Sequence, residues 1–315
     1  MTRLPARVVK PKALPKGAKI ALVSPASPPE SSAVLAGIAE LQRLGFNVET
    51  PVPLKSDGYF AASHEERLKE FGAAFLNKDV VGVFATRGGY GSNYLLDFNL
   101  HTRLAKEKVI VGFSDLTTIQ ILLWQVRNWI TFYGPMAAVG FNHGANQPQG
   151  YDESSFLHAV RDTSQGWTIP LSGETISKGD AEGRLLGGCL TLLQSSIGTS
   201  YDLDVNGAIL VLEDRGMKPY QLDRALMHLK QSGKLNHVHG IVLGDFSECE
   251  PAVPGSPTVR EVCQRVLAPL GVPIVYGAPV GHTTRPMLTL PLGVRARLRA
   301  EGAGQLEILE PAVIE

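Results

Sequence analysis

Cysteine is scarce in this chain, with only three among 315 residues. Cys189, Cys249 and Cys263 form no C-x-x-C pair. An odd, scattered set argues against a disulfide framework and for reduced thiols in a cytoplasmic setting. Excess charge is missing too, since Lys+Arg and Asp+Glu both number 30. Binding to nucleic acid or to an anionic membrane rests on basic residues that neutralise phosphates, so neither partner is expected. No run approaches the ~18 uninterrupted apolar residues of a membrane span. The segment Met1 to Ala18 is basic and proline-punctuated and has no apolar core, so no export signal is expected. The pair His237 and His239 has neither an H-E-x-x-H motif nor paired cysteines to complete a coordination shell, and the reading is that the chain needs no metal. Internal repeats and low-complexity tracts are lacking as well.

What is present is ordinary globular composition, 44% hydrophobic and 19% charged, with 33 glycines and 21 prolines. The length exceeds that at which single cores usually stop growing, which predicts two domains. The first half alternates strand and helix signals. Lys19 to Val23, Phe46 to Glu49, Val80 to Thr86 and Val109 to Val111 read as short strands. Helical spacing runs through Ser31 to Leu44 and Ser63 to Leu76, the second opened by a capping-box pattern of Ser63 with Glu66. Such alternation predicts an N-terminal α/β domain with a parallel sheet, spanning 1–166. Residues 167–182 read as a linker. In 183–315, buried strands at Ala208 to Leu212 and Gly240 to Gly244 mix with helices at Tyr220 to Gln231 and Thr258 to Leu270. A hairpin is expected at Gly293, and the whole predicts a smaller, mixed α/β, barrel-like domain.

The most informative stretch is V-I-V-G-F-S-D-L-T-T-I-Q, Val109 to Gln120. A buried strand, a permissive Gly112 and a following helix put Ser114 on a strand-to-helix elbow at the carboxyl end of a strand. Open α/β sheets place their ligand crevices there, and backbone N–H groups gather at the helix start. Ser and Asp are also preferred helix caps, so a purely structural role stays open. Directly after the third strand comes Arg87-Gly88-Gly89-Tyr90-Gly91. Its glycines allow close backbone approach to a ligand, as a phosphate cradle, as donors to an oxyanion, or as a tight turn alone. Glu213 and His282 also fall at strand ends. Each has a turn or structural alternative, but the order Ser, acid, His suits a hydrolytic triad. The elbow lacks a glycine two residues after the serine, so a standard α/β-hydrolase is not implied.

These motifs, with K-I-A-L-V-S-P-A-S at Lys19, F-Y-G-P-M at Phe132, L-E-D-R-G-M-K-P-Y-Q-L-D-R at Leu212 and G-H-T-T-R-P at Gly281, resemble the LD-carboxypeptidase family of serine peptidases over nearly the whole length. The resemblance implies Ser114 as nucleophile, Glu213 as triad carboxylate and His282 as base. It implies an oxyanion hole from the backbone N–H groups of Gly88 and Asp115. It further implies a homodimer that needs no cofactor and acts on murein peptides, removing the terminal D-alanine of a tetrapeptide. A microcin-immunity branch of the family, which hydrolyses a peptidyl-nucleotide, is the alternative, and a non-catalytic two-domain binding protein is a third reading. A carboxypeptidase must also meet a free carboxylate. Arg87 and then Arg285 are the cations best placed by sequence, with Gly89 and Tyr90 as neighbouring binding residues.

Overall fold

The computed structural model describes residues 7–49, 55–96, 106–164 and 166–315. They divide into two compact units. Unit 1 comprises 1–163, 285–293 and 312–315, and unit 2 comprises 164–284 and 294–311.

Unit 1 runs β1 (Lys19–Val23), α1 (Ser31–Arg43), β2 (Asn47–Glu49), α2 (His64–Leu76), β3 (Val80–Ala85), α3 (Asn93–Leu96), β4 (Val109–Gly112), α4 (Thr117–Arg127), β5 (Thr131–Tyr133) and α5 (Glu153–Arg161). The strands pair in the order β2, β1, β3, β4, β5, all parallel. β4 is buried throughout, as expected of a strand covered on both faces. Helix α2 begins with the capping box of Ser63 and Glu66 and buries Leu68, Phe71 and Phe75. Helix α1 is capped by Glu30, whose carboxylate accepts the N–H groups of Ser32 and Ala33. Parallel pairing brings the carboxyl ends of β1, β3 and β4 to one edge, so Ser24–Ser27, Thr86–Ser92 and Phe113–Leu116 leave the sheet side by side.

Unit 2 runs β6 (Trp167–Pro170), β7 (Glu174–Ser177), β8 (Gly179–Cys189), α6 (Leu190–Ser196), β9 (Ala208–Glu213), α7 (Pro219–Gln231), β10 (Gly240–Gly244), α8 (Val259–Leu267) and β11 (Ile274–Ala278). The strands β13 (Arg295–Ala300) and β14 (Gln305–Ile308) complete it. The sheet order is β6-β14-β13-β8-β9-β10-β11-β7. Its centre, β8 to β11, is parallel and the flanks are antiparallel.

Two sequence expectations change. Residues 167–182 are not a linker. They form β6, β7 and the start of β8, whose mixed exposure hides the strand pattern. No hairpin forms at Gly293. The strand before it, Leu290–Leu292 (β12 in chain order), pairs antiparallel with β5 in unit 1, whereas β13 pairs with β8 and β14 in unit 2. The chain therefore returns to the first unit late, which no local pattern announces. The second sheet is mixed as expected, and the two ends of its strand order, β6 and β7, are joined by residues 171–173, where the N–H groups of Leu171, Gly173 and Thr175 donate to the carbonyls of Gly304, Ala303 and Gly302 in the turn between β13 and β14.

Helix α1 also bears on the glycine loop. A Cβ on Gly37 would lie 2.0 Å from the carbonyl oxygen of Ala137. The N–H groups of Ala137 and Ala138 in turn donate to the carbonyls of Ala85 and Thr86 at 3.1 and 2.9 Å, at the root of that loop. Gly37→Ala should cost about 2–3 kcal/mol through backbone overlap. Thermal unfolding should show a fall in Tm of roughly 5 °C or more, whereas an unchanged Tm would mean that the helix and the 136–140 turn are not in close contact.

Candidate active site

In unit 1, Ser114 follows β4 and an extended Phe113, and it opens the single 3-10 turn Ser114–Leu116. Its φ is +61°, a left-handed conformation unusual for a residue with a side chain. Strain of this kind turns a strand sharply into a helix and lifts the side chain off the sheet. The elbow is braced from below. The Ser114 N–H donates to the Tyr133 hydroxyl at 3.4 Å. The Gln120 amide donates to the carbonyls of Gly112 and Phe132 at 3.0 and 3.1 Å. Any Cβ on Gly112 would meet Leu116 Cδ2 at 2.4 Å. The cap reading of the sequence does not describe this turn. Phe113 is its N-cap, with no side-chain cap bond, and the Asp115 carboxylate accepts the Ser92 N–H at 2.7 Å from a different segment.

The glycine loop lies directly against the elbow. A Cβ on Gly88 would fall 2.8 Å from Ser114 Cβ, 2.9 Å from its Oγ and 3.4 Å from the Asp115 nitrogen. Only glycine leaves that space open. Gly89, at φ +108°, likewise abuts Ser27, whose Oγ a Cβ would approach to 2.3 Å. The Ser27 N–H donates to the Gly88 carbonyl at 3.2 Å, and the Tyr90 N–H donates to Ser27 Oγ at 3.1 Å. Arg87 is exposed and donates to the Pro28 carbonyl at 2.9 Å. Tyr90 is also exposed. Arg285 is half-buried on the segment that returns to unit 1.

In unit 2, Glu213 ends β9 and is fully buried. Its Oε2 accepts two hydrogen bonds from His282, from the backbone N–H at 2.9 Å and from ring Nδ1 at 2.8 Å. A carboxylate only accepts, so Nδ1 carries the proton and the neutral ring has its lone pair on Nε2. Two glycines make the approach possible. A Cβ on Gly281, at φ +67°, would sit 2.3 Å from Glu213 Cδ, and one on Gly244 would sit 2.5 Å from Glu213 Cβ. Burial opposes charge on His282, but the Glu213 charge and hydrogen bond, with Asp214, outweigh it and raise the imidazole above its ordinary value. Asp214 is itself held by Thr191, whose N–H and hydroxyl donate at 2.8 and 2.7 Å. Of the pair His237 and His239, both exposed, His239 is bonded through Nδ1 to the Glu182 carbonyl at 2.7 Å.

The structure thus brings Gly88, Ser114 and Asp115 together in unit 1, and Glu213 and His282 together in unit 2. Sequence reading missed the supports Tyr133, Gln120 and Ser92, and it missed the buried Arg67, which donates to the Gly91 carbonyl at 2.9 Å. Arg67 had a signal available, because it shares the i, i+4 stripe of α2 with Phe71 and Phe75 and is as buried as they are.

A serine on a strained elbow and a histidine held by a buried carboxylate are components of a serine hydrolase. Comparison with known proteins narrows the class. Residues 20–134 match the model of the LD-carboxypeptidase N-terminal domain, and residues 182–298 match that of the LD-carboxypeptidase C-terminal domain. The "Probable murein peptide carboxypeptidase" of Bacillus subtilis is 32% identical, over 97% of this chain and 96% of that protein. The crystal structure of muramoyltetrapeptide carboxypeptidase from Oxalobacter formigenes superposes with a TM-score of 0.81 at 32% identity, covering 93% of this chain and 99% of that one. The microcin C7 self-immunity protein MccF, in complex with aspartyl sulfamoyl adenosine, superposes with a TM-score of 0.89 at 26% identity, covering 97% and 100%. The chain belongs to the LD-carboxypeptidase family of serine peptidases.

The charge balance around His282 can be tested without substrate. Because its folded value is raised, protonated His282 contributes stability that is complete below the ordinary 6.5 and is lost as pH rises through the folded value. Glu213→Gln removes the attraction and leaves the burial. An NMR titration of the His282 ring should then give a midpoint below the ordinary 6.5, against one above it in the unaltered chain. Equal midpoints would mean that Glu213 does not set the charge of His282.

Proposed function

We propose that this protein is a serine LD-carboxypeptidase that hydrolyses the L-to-D peptide bond before the terminal D-alanine of murein tetrapeptides. The observation that carries the reading is the two-point grip of fully buried Glu213 on His282, which fixes the ring tautomer a general base needs. In this mechanism His282 Nε2 takes the Ser114 Oγ proton as the oxygen attacks the scissile carbonyl. Glu213 stabilises the imidazolium that forms. The N–H groups of Gly88 and Asp115 receive the oxyanion, a contribution worth roughly 10²–10³ in rate per donor. The imidazolium then protonates the D-alanine nitrogen as the C–N bond breaks, and water, deprotonated by His282, hydrolyses the acyl-enzyme. Arg87, exposed beside Gly88, meets the substrate's terminal carboxylate, with Arg285 as the second candidate and Gly89 and Tyr90 lining the approach.

Murein substrates are favoured over a peptidyl-nucleotide by identity, at 32% for the relatives named murein peptide and muramoyltetrapeptide carboxypeptidase against 26% to 30% for MccF. The balanced charge of the chain supports a partner other than nucleic acid. No helix among the described residues is long and apolar enough to cross a membrane. The three cysteines are buried thiols outside any disulfide, in keeping with a cytoplasmic setting, and the family resemblance carries the expectation of a homodimer.

The test is D-alanine release from a purified murein tetrapeptide. The unaltered chain should release it, Ser114→Ala should be slower by at least ~10³-fold, and a C-terminally amidated tetrapeptide should show a raised KM. Release that survives the substitution would overturn the mechanism. Turnover of a peptidyl-nucleotide with none of the tetrapeptide would overturn the substrate.

A further inference from the structure

The peptide unit between Gly91 and Ser92 is gripped at both ends by opposite charges. Its carbonyl oxygen accepts Arg67 Nη1 at 2.9 Å, and its N–H donates to Asp115 Oδ2 at 2.7 Å. The cation sits at the negative end of the peptide dipole and the anion at the positive end. Both side chains are buried, Arg67 at 0% exposure and Asp115 at 2%. Away from water such bonds are stronger, and a charged partner roughly doubles them.

Neither group is free to swing. Arg67 Nε donates to the Ala62 carbonyl at 3.2 Å, Nη1 also bonds the Pro25 carbonyl, and Nη2 meets His64 Nδ1 at 2.5 Å. Its guanidinium lies 4.9 Å from the centre of the Phe60 ring. Asp115 is the residue after Ser114 and is fixed by the elbow. Burial pushes its carboxyl up, while the Ser92 bonds and the Arg67 charge pull it down.

The loop that is gripped needs the help. Gly88 to Gly91 contains three glycines, two of them at φ +108° and +132°, and such a segment loses much conformational freedom on ordering. Ser27 holds its near end through the Gly88 carbonyl and the Tyr90 N–H. At its far end the loop is tied to Asp115, hence to the nucleophile's own turn.

We propose that Arg67 and Asp115 act as a peptide clamp that sets the position of the Gly88 N–H relative to that of Asp115, and so holds the oxyanion hole in register with Ser114. They are positioning residues, and the assignment rests on the serine carboxypeptidase reading above. The clamp acts on the transition state, so its loss appears in kcat and leaves KM in place. Because both side chains act through one peptide unit, their effects are not additive.

The experiment compares Arg67→Met, Asp115→Ala and the double variant for tetrapeptide turnover, with Arg67→Lys as the conservative control. Amide hydrogen exchange of residues 87–93 is measured in parallel and needs no substrate. The clamp predicts kcat lower by on the order of 10²-fold in each single variant, with KM within about threefold. It predicts a double variant no worse than the weaker single, partial recovery in Arg67→Lys, and faster exchange in the loop. Additive losses, losses confined to KM, or wild-type kcat in the single variants would overturn it while leaving the carboxypeptidase reading intact. If the unaltered chain releases no D-alanine, that reading fails, and exchange decides the clamp alone. Unchanged exchange in both single variants overturns it and faster exchange in both supports it.

Discussion

A carboxylate removed from water must be answered by donors, and His282 answers Glu213 twice. Burial of an unpaired charge costs several kcal/mol, so the two hydrogen bonds from His282 are a condition of the fold around β9 as much as a feature of the site. The condition propagates. The backbone N–H and the ring can reach one oxygen only if the chain turns tightly at Gly281, and the strand beside β9 must end in Gly244 to leave room for the side chain. The same contact fixes the tautomer of the ring and lifts its affinity for a proton. One pair of bonds therefore serves both the burial of Glu213 and the orientation of the ring.

The surroundings of Ser114 follow a different logic. Backbone groups do most of the work there, and the charges serve to hold backbone. Gly88 gives up a side chain so that its main chain can lie against Ser114, Gln120 ties the ends of β4 and β5 together, and Ser27 fastens the near end of the glycine loop. Arg67 and Asp115 are buried charges whose partners are mainly carbonyls and N–H groups. A site built this way holds its dipoles in place before substrate arrives, which is the arrangement that stabilises a developing oxyanion most.

Much of this was legible in the sequence, and the limits have physical causes. Apolar runs such as Val109–Val111 and Ala208–Leu212 declare buried strands because they are covered on both faces. The capping box at Ser63 declares a helix start because its chemistry is local. Ser114, Glu213 and His282 stand out because each is polar at the end of such a run. By contrast, β6, β7 and the start of β8 alternate weakly and read as a linker, since strand segments with partly wet faces carry little hydrophobic signal. The return of Leu290–Leu292 to the first sheet is a long-range pairing that no window of sequence contains. Arg67 was passed over because a lone arginine on a charged helix reads as solvated, and only three-dimensional packing shows which carbonyls surround it.

The account's central claim is that the imidazole held by Glu213 activates Ser114. The most direct measurement is the rate at which an alkyl fluorophosphonate, which reacts with activated serines irrespective of substrate, modifies the protein, with the adduct located by peptide mass mapping. The account predicts an adduct on Ser114 and a rate lower by on the order of 10³-fold in His282→Ala. An adduct elsewhere, or modification of Ser114 at the same rate without His282, would contradict it.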